Sequence, residues 1–149
     1  MTFESLHADT DCDCLGEAFE VENKLFARKI GKPISRISDF YSHWERNKKP
    51  NVLNCDNTCM YKGLSCNEWN NESKGQVLAK YVNLINNQEK TGIINDAILI
   101  FRIKQGGGLV KYSPSRNDIS HHTFFKSDTF AVEYLEIIEV INLDEYITT

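Results

Sequence analysis

Both ends of this chain lack basic residues. Residues 1–23 carry seven acids and no lysine or arginine, and residues 127–149 carry six acids and again none. An acidic opening with neither a basic start nor an apolar stretch is not the pattern of a secretory leader, so the cytoplasm is the expected compartment. Long apolar runs are also lacking. The longest aliphatic and aromatic run is Ala97–Phe101, about a quarter of what a membrane-spanning helix needs, so no membrane partner is expected. There is no repeat, no low-complexity tract and no interdomain linker, and residues 1–149 read as a single domain. The cysteines number five. An odd count without an export signal predicts reduced thiols.

What the ends lack is concentrated in the middle. All 17 lysines and arginines fall between Lys24 and Lys126, where only eight acids accompany them. The formal charge divides into −7, +9 and −6, which together make the net −4. Such segregation points to a basic surface that meets an anion, either the chain's own acidic ends or a partner.

The apolar pattern predicts helices first and strands afterwards. Leu15, Ala18, Phe19, Leu25 and Phe26 share one helical face, giving a helix from Asp13 to Lys29. Ile37, Phe40, Tyr41 and Trp44 give a second, from Pro33 to Asn47, ended by Pro50. A short strand falls at Met60 to Ser65. Ser73 and Gln76 have capping-box spacing ahead of the stripe Val77, Leu78, Tyr81, Val82 and Ile85, with Gly92 as a stop. The β-branched run from Ala97 to Ile103 predicts a buried strand. The glycines of Gln105–Gly108 predict a tight hairpin into a strand from Leu109 to Ser113, followed by a polar loop to Ser120. The density of Ile and Val from Tyr134 to Leu143 favours a last strand. The expected fold is α+β, with N-terminal helices packed on a mostly antiparallel C-terminal sheet. Its expected core is Phe19, Phe26, Phe40, Trp44, Leu78, Tyr81, Val82, Ile98, Ile100 and Ile103.

Four groups of residues carry possible chemistry. Cys55, Cys59 and Cys66 could hold zinc, with Cys12, Cys14, His121 or His122 as a fourth ligand, because closely spaced thiolates chelate well. Free buried cysteines are the alternative. Arg102, Lys104, Lys111 and Arg116 fall in an acid-free stretch with Tyr112 among them, and a hairpin would gather them into an anion-binding face. Ser120-His121-His122 sets a hydroxyl beside two imidazoles, although a nucleophile and its base must meet in space rather than in sequence. His43 and Glu45 flank Trp44 on the second predicted helix and are expected in solvent.

Tyr61-Lys62-Gly63-Leu64-Ser65 resembles the Tyr-Arg-Gly segment of ADP-ribosyltransferases, and the Ile100–Tyr112 hairpin is similar in outline to the one before that family's catalytic glutamate. The resemblance implies nicotinamide-dinucleotide chemistry with Lys62 at the gripping position. Lys62 stands where the family has arginine, the Ser-Thr-Ser strand motif is missing, and the only Glu-x-Glu is Glu20-Val21-Glu22. The late acids Glu133, Glu136 and Glu139 are three residues apart. Three expectations follow. First comes an interaction module with a charge-segregated surface that binds a protein partner or an anionic ligand, nucleic acid and nucleotide included. The others are an ADP-ribosyltransferase-like or other nucleotide-handling enzyme, and a small zinc-stabilised domain.

Overall fold

The computed structural model describes residues 1–31, 36–86 and 96–146. Its six strands form one antiparallel sheet in the order β4-β5-β2-β1-β3-β6. They are β1 (Phe26–Gly31), β2 (Leu64–Glu68), β3 (Asp96–Ile103), β4 (Gly108–Tyr112), β5 (His121–Lys126) and β6 (Leu135–Asn142). The α-helices described are α1 (Glu4–His7), α2 (Cys55–Lys62) and α3 (Lys74–Asn86). The class is α+β, but the sheet is not confined to the C-terminal half: β1 and β2 lie at its centre.

The predicted first helix is the largest departure. Residues 13–25 are irregular, Glu17 has a positive φ of 64°, and Phe26 onward is strand. Both faces of β1 are covered, so its apolar residues do not alternate cleanly with polar ones and mimic a helical stripe. Phe19 is 66% exposed, because its backbone, not its ring, is used: its N–H and C=O both pair with Val110 on the outer edge of β4. That pairing covers an edge strand that would otherwise be open. Of the second predicted helix, residues 33–35 lie outside the described residues; Ile37–Phe40 is a 3-10 turn, residues 41 and 42 are irregular and residues 43–47 are turns. Residues 60–62 end α2, and strand begins only at Leu64.

The third predicted helix and the buried strand from Ala97 to Ile103 are present. Helix α3 turns Val77, Tyr81 and Ile85 onto the sheet, beside Ala27, Ile98, Ile100 and Leu143. Leu78 and Val82 flank that stripe half-buried. The Ser73 hydroxyl does not serve as the expected cap; it donates to the Glu68 carbonyl (2.6 Å). Gly92 lies outside the described residues. Strand β3 pairs with β1 on one side and β6 on the other, and its residues 97–101 are buried on both faces.

The glycine turn makes no hairpin. Strand β4 pairs with β5 and not with β3, although only Lys104–Gly107 separates β3 from β4. In a flat sheet β3 and β4 would be four strand spacings apart, about 19 Å. The connection is itself folded, with Gly107 N–H donating to the Lys104 carbonyl (3.1 Å). The sheet must therefore curl until the end of β3 meets the start of β4. Its concave face then encloses one core with residues from all six strands, including Phe26, Cys66, Phe101, Val110, Phe124 and Leu135, while Phe40 packs into the same core. Gly108 sits where a Cβ would overlap the Phe125 carbonyl oxygen, so the corner requires glycine.

Cysteine chemistry also departs from expectation. Cys12 is bonded to Cys55 and Cys14 to Cys59, and only Cys66 is free, fully buried in β2. Residues two apart on an extended segment are about 6.6 Å apart, and residues four apart on a helix about 6 Å. Cys12-x-Cys14 and Cys55-x3-Cys59 thus match rung for rung. Helix α2 buries only Thr58 and Lys62, so the two bonds provide the anchoring that its weak apolar face does not.

Candidate functional site

The sheet is divided at its centre. Strand β1 is paired with β3 over six residues but with β2 only at Phe26–Glu68 and Ala27–Asn67. Beyond Ala27 the two strands part, and the Arg28 guanidinium spans the gap. Its Nη1 donates to the Ser65 carbonyl (2.6 Å), and its Nε and Nη2 donate to the Asp39 carbonyl (3.2 and 3.0 Å). On the α3 side, Tyr81 Oη donates to Asn67 Oδ1 (3.3 Å).

A cleft of about 560 Å³ opens at this parting. Strand β1 contributes Arg28 and Lys29, and the 41–48 segment contributes Tyr41, Ser42, His43, Arg46 and Lys48. Met60 and Tyr61 from the end of α2, Ser65 from β2, and His121 and Thr123 from β5 complete the walls. No aspartate or glutamate lines it among the described residues. Arg46 is fixed as Arg28 is, by carbonyls: it donates to Tyr41 O (3.3 Å) and to Ser38 O. Lys29 has an ion pair with Asp96 at 3.5 Å. Burial pushes the Arg28 guanidinium below its ordinary value, and the nearby Arg46 charge acts in the same direction. Backbone carbonyls satisfy the hydrogen bonds of both guanidinium groups, and the Asp39 carboxylate offsets part of the charge on Arg28.

Ser65 is exposed while its neighbours Leu64 and Cys66 are buried. Its hydroxyl lies 2.6 Å from His121 Nε2. The other ring nitrogen, Nδ1, is 3.0 Å from the Ser113 carbonyl and 2.9 Å from the Ser113 hydroxyl. Burial lowers the proton affinity of His121. Behind this pair, fully buried Asn67 donates to Asp118 Oδ1 (2.6 Å) and Ser120 Oγ (3.0 Å) and accepts from Lys80 Nζ (2.9 Å). Burial alone would raise the Asp118 carboxyl, but its bonds from Lys80 and Asn67 bring it below its ordinary value.

The residues singled out in the sequence are dispersed. Arg102 on β3 is ion-paired with Glu136 of β6 (2.9 Å), at the opposite side of the sheet order from Lys111 on β4. Lys104 is in the corner turn and Arg116 in the exposed 113–120 loop, so no strand face unites the four. Cys55, Cys59 and Cys66 do not converge: two are in disulfides, and no cluster of His, Cys, Asp or Glu suited to a metal occurs among the described residues. Burial pushes the Cys66 thiol up to about 12, which leaves it unreactive. Lys62 donates to the Leu6 carbonyl (2.8 Å) and to Ala8 O, joining α1 to α2, and lies 4.8 Å from the Trp44 ring centre. It lines a separate cavity of about 230 Å³ with Trp44 and Lys126, and none of Glu133, Glu136 and Glu139 lines that cavity or the 560 Å³ cleft.

His121 was singled out in the sequence beside Ser120, with no partner in space assigned to it. Ser120 Oγ is used by Asn67, and the hydroxyl that reaches the ring is Ser65, across the β2–β5 ladder. Arg28 and Arg46 were not singled out, the central excess of positive charge being their only trace, and Ser65 entered only as the end of the Tyr61–Ser65 segment. Comparison of the chain with protein-family models, curated proteins and solved structures found no match.

Proposed function

We propose that this protein binds a small organic anion, a carboxylate or a phosphate ester, in the cleft where β1 and β2 part. One observation carries the reading: Arg28 and Arg46 are held together by carbonyl oxygens in a cleft with no acid on its walls. Bringing like charges together costs free energy unless an anion lies between them. A volume of about 560 Å³ is in the range of small-molecule sites and below what a folded partner would require. The Tyr61 hydroxyl on the cleft wall provides a neutral donor to orient such a ligand. The two disulfides support a working compartment that is oxidising, rather than the cytoplasm.

Thermal unfolding in rising succinate or phosphate tests this, since a ligand of the folded state alone raises the Tm. The Tm of the wild type should climb, Arg46→Gln should abolish most of the rise, and Arg102→Gln should leave it intact. Equal responses from the two variants would refer the effect to general salt.

A further inference from the structure

We propose that Ser65 and His121 are the nucleophile and general base of an esterase whose substrates are small carboxylic esters bearing an anionic group. The substrate class rests on the anion-binding reading of the cleft; the catalytic pair rests on its own geometry. A carbonyl oxygen can only accept, so the contact of His121 Nδ1 with the Ser113 carbonyl (3.0 Å) assigns the ring proton to Nδ1. Nε2 then carries a lone pair, and the Ser65 hydroxyl, 2.6 Å away, donates to it. A nucleophile within hydrogen-bond reach of a base that a third group orients is the arrangement that activates serine.

The surroundings suit that role. Ser65 faces the cleft from a strand whose flanking residues are buried, so the hydroxyl is accessible but its backbone is fixed. Charges near the ring come from Lys80 on α3, Asp118 in the 113–120 loop and the neighbouring His122, and burial keeps the imidazole inclined to its neutral form. Arg28 donates to the Ser65 main-chain carbonyl, which fixes the backbone at the nucleophile and brings a positive charge to the same strand position.

The reaction balances with water as the only co-reactant. Ser65 Oγ bonds to the ester carbonyl carbon as its proton passes to His121 Nε2. Collapse of the tetrahedral intermediate breaks the bond to the alcohol oxygen, which leaves with that proton. Water then attacks the acyl-serine, gives a proton to His121, and the second collapse returns the proton to Ser65 Oγ and releases the acid.

Mono-4-nitrophenyl succinate and neutral 4-nitrophenyl acetate, each incubated with the full chain, provide the test, with release of 4-nitrophenol as readout. Ser65→Ala and His121→Gln should each lower turnover of the succinate ester by at least about 100-fold, the scale of a lost general base. A fluorophosphonate should add its mass at Ser65 in the wild type and fail to do so in His121→Gln. Succinate itself should still raise the Tm of Ser65→Ala, which shows that this variant is folded and binds. If succinate stabilises the protein but neither turnover nor labelling depends on these two residues, the catalytic proposal is overturned and the anion-binding reading survives. Turnover that depends on Ser65 without preference for the anionic ester would instead overturn the substrate class.

Discussion

Asp128 shows how far a single carboxylate can act from its own element. Helix α1 has Phe3 at its N-cap, with no side-chain bond of its own. Asp128, from the far end of the chain, accepts from Glu4 N–H (2.8 Å), Ser5 N–H (2.9 Å) and Thr2 Oγ1 (2.6 Å). The Thr2 hydroxyl and these backbone donors hold its pKa at about 2 against an ordinary 3.8. A depressed pKa means the unfolded chain takes up the proton first, so the stabilisation is complete above 3.8 and disappears as pH falls through about 2. Asp128→Asn should therefore flatten the stability–pH curve in that window, read by urea unfolding; parallel curves would refute the cap. In the core, Ile85 is 1% exposed and Leu78 only half-buried. Ile85→Ala should cost about 2–5 kcal/mol and Leu78→Ala less, by the same measurement. Leu78 was placed in the core because periodicity identifies a stripe; it does not show which residues lie at its edge.

Single elements were legible where their pattern had one cause. Strand β3, helix α3 and strand β6 follow from an apolar run, a stripe and a concentration of β-branched residues. Strand β1 was not legible, because burial on both faces hides alternation, and β5 was passed over because His121, His122 and Thr123 read as polar. Helix α2, CDNTCMYK, has almost no apolar face, so periodicity could not find it. Its signal was the matched cysteine spacing, which the expectation of reduced thiols hid. If the disulfides anchor α2 to the N-terminal segment, Cys12→Ser with Cys14→Ser should cost about 2–5 kcal/mol, lowering the Tm on the order of 10 °C. A change in Tm of only a degree or two would show that Lys62 and the Leu6–Phe125 contacts hold the segment without them.

At the scale of the whole molecule, four of the 17 basic residues, Arg28, Lys29, Arg46 and Lys48, line one cleft. Arg28, Arg46, Ser65 and His121 come from a strand, an irregular segment and two further strands, and only the order β5-β2-β1 brings them to one cleft. Treating β3 and β4 as a hairpin placed the positive surface on Arg102, Lys104, Lys111 and Arg116; the strand order leaves β3 and β4 unpaired and gives Arg102 to Glu136. The fold class was legible because local patterns dictate it. The site was not, because it is a product of strand order. Phosphate titrated at low ionic strength into ¹⁵N-labelled protein tests the central claim most directly. The account predicts saturable amide shifts largest at Arg28, Arg46, Ser65 and His121. Shifts centred on Arg102, Lys111 and Arg116, or no saturable shifts, would contradict it.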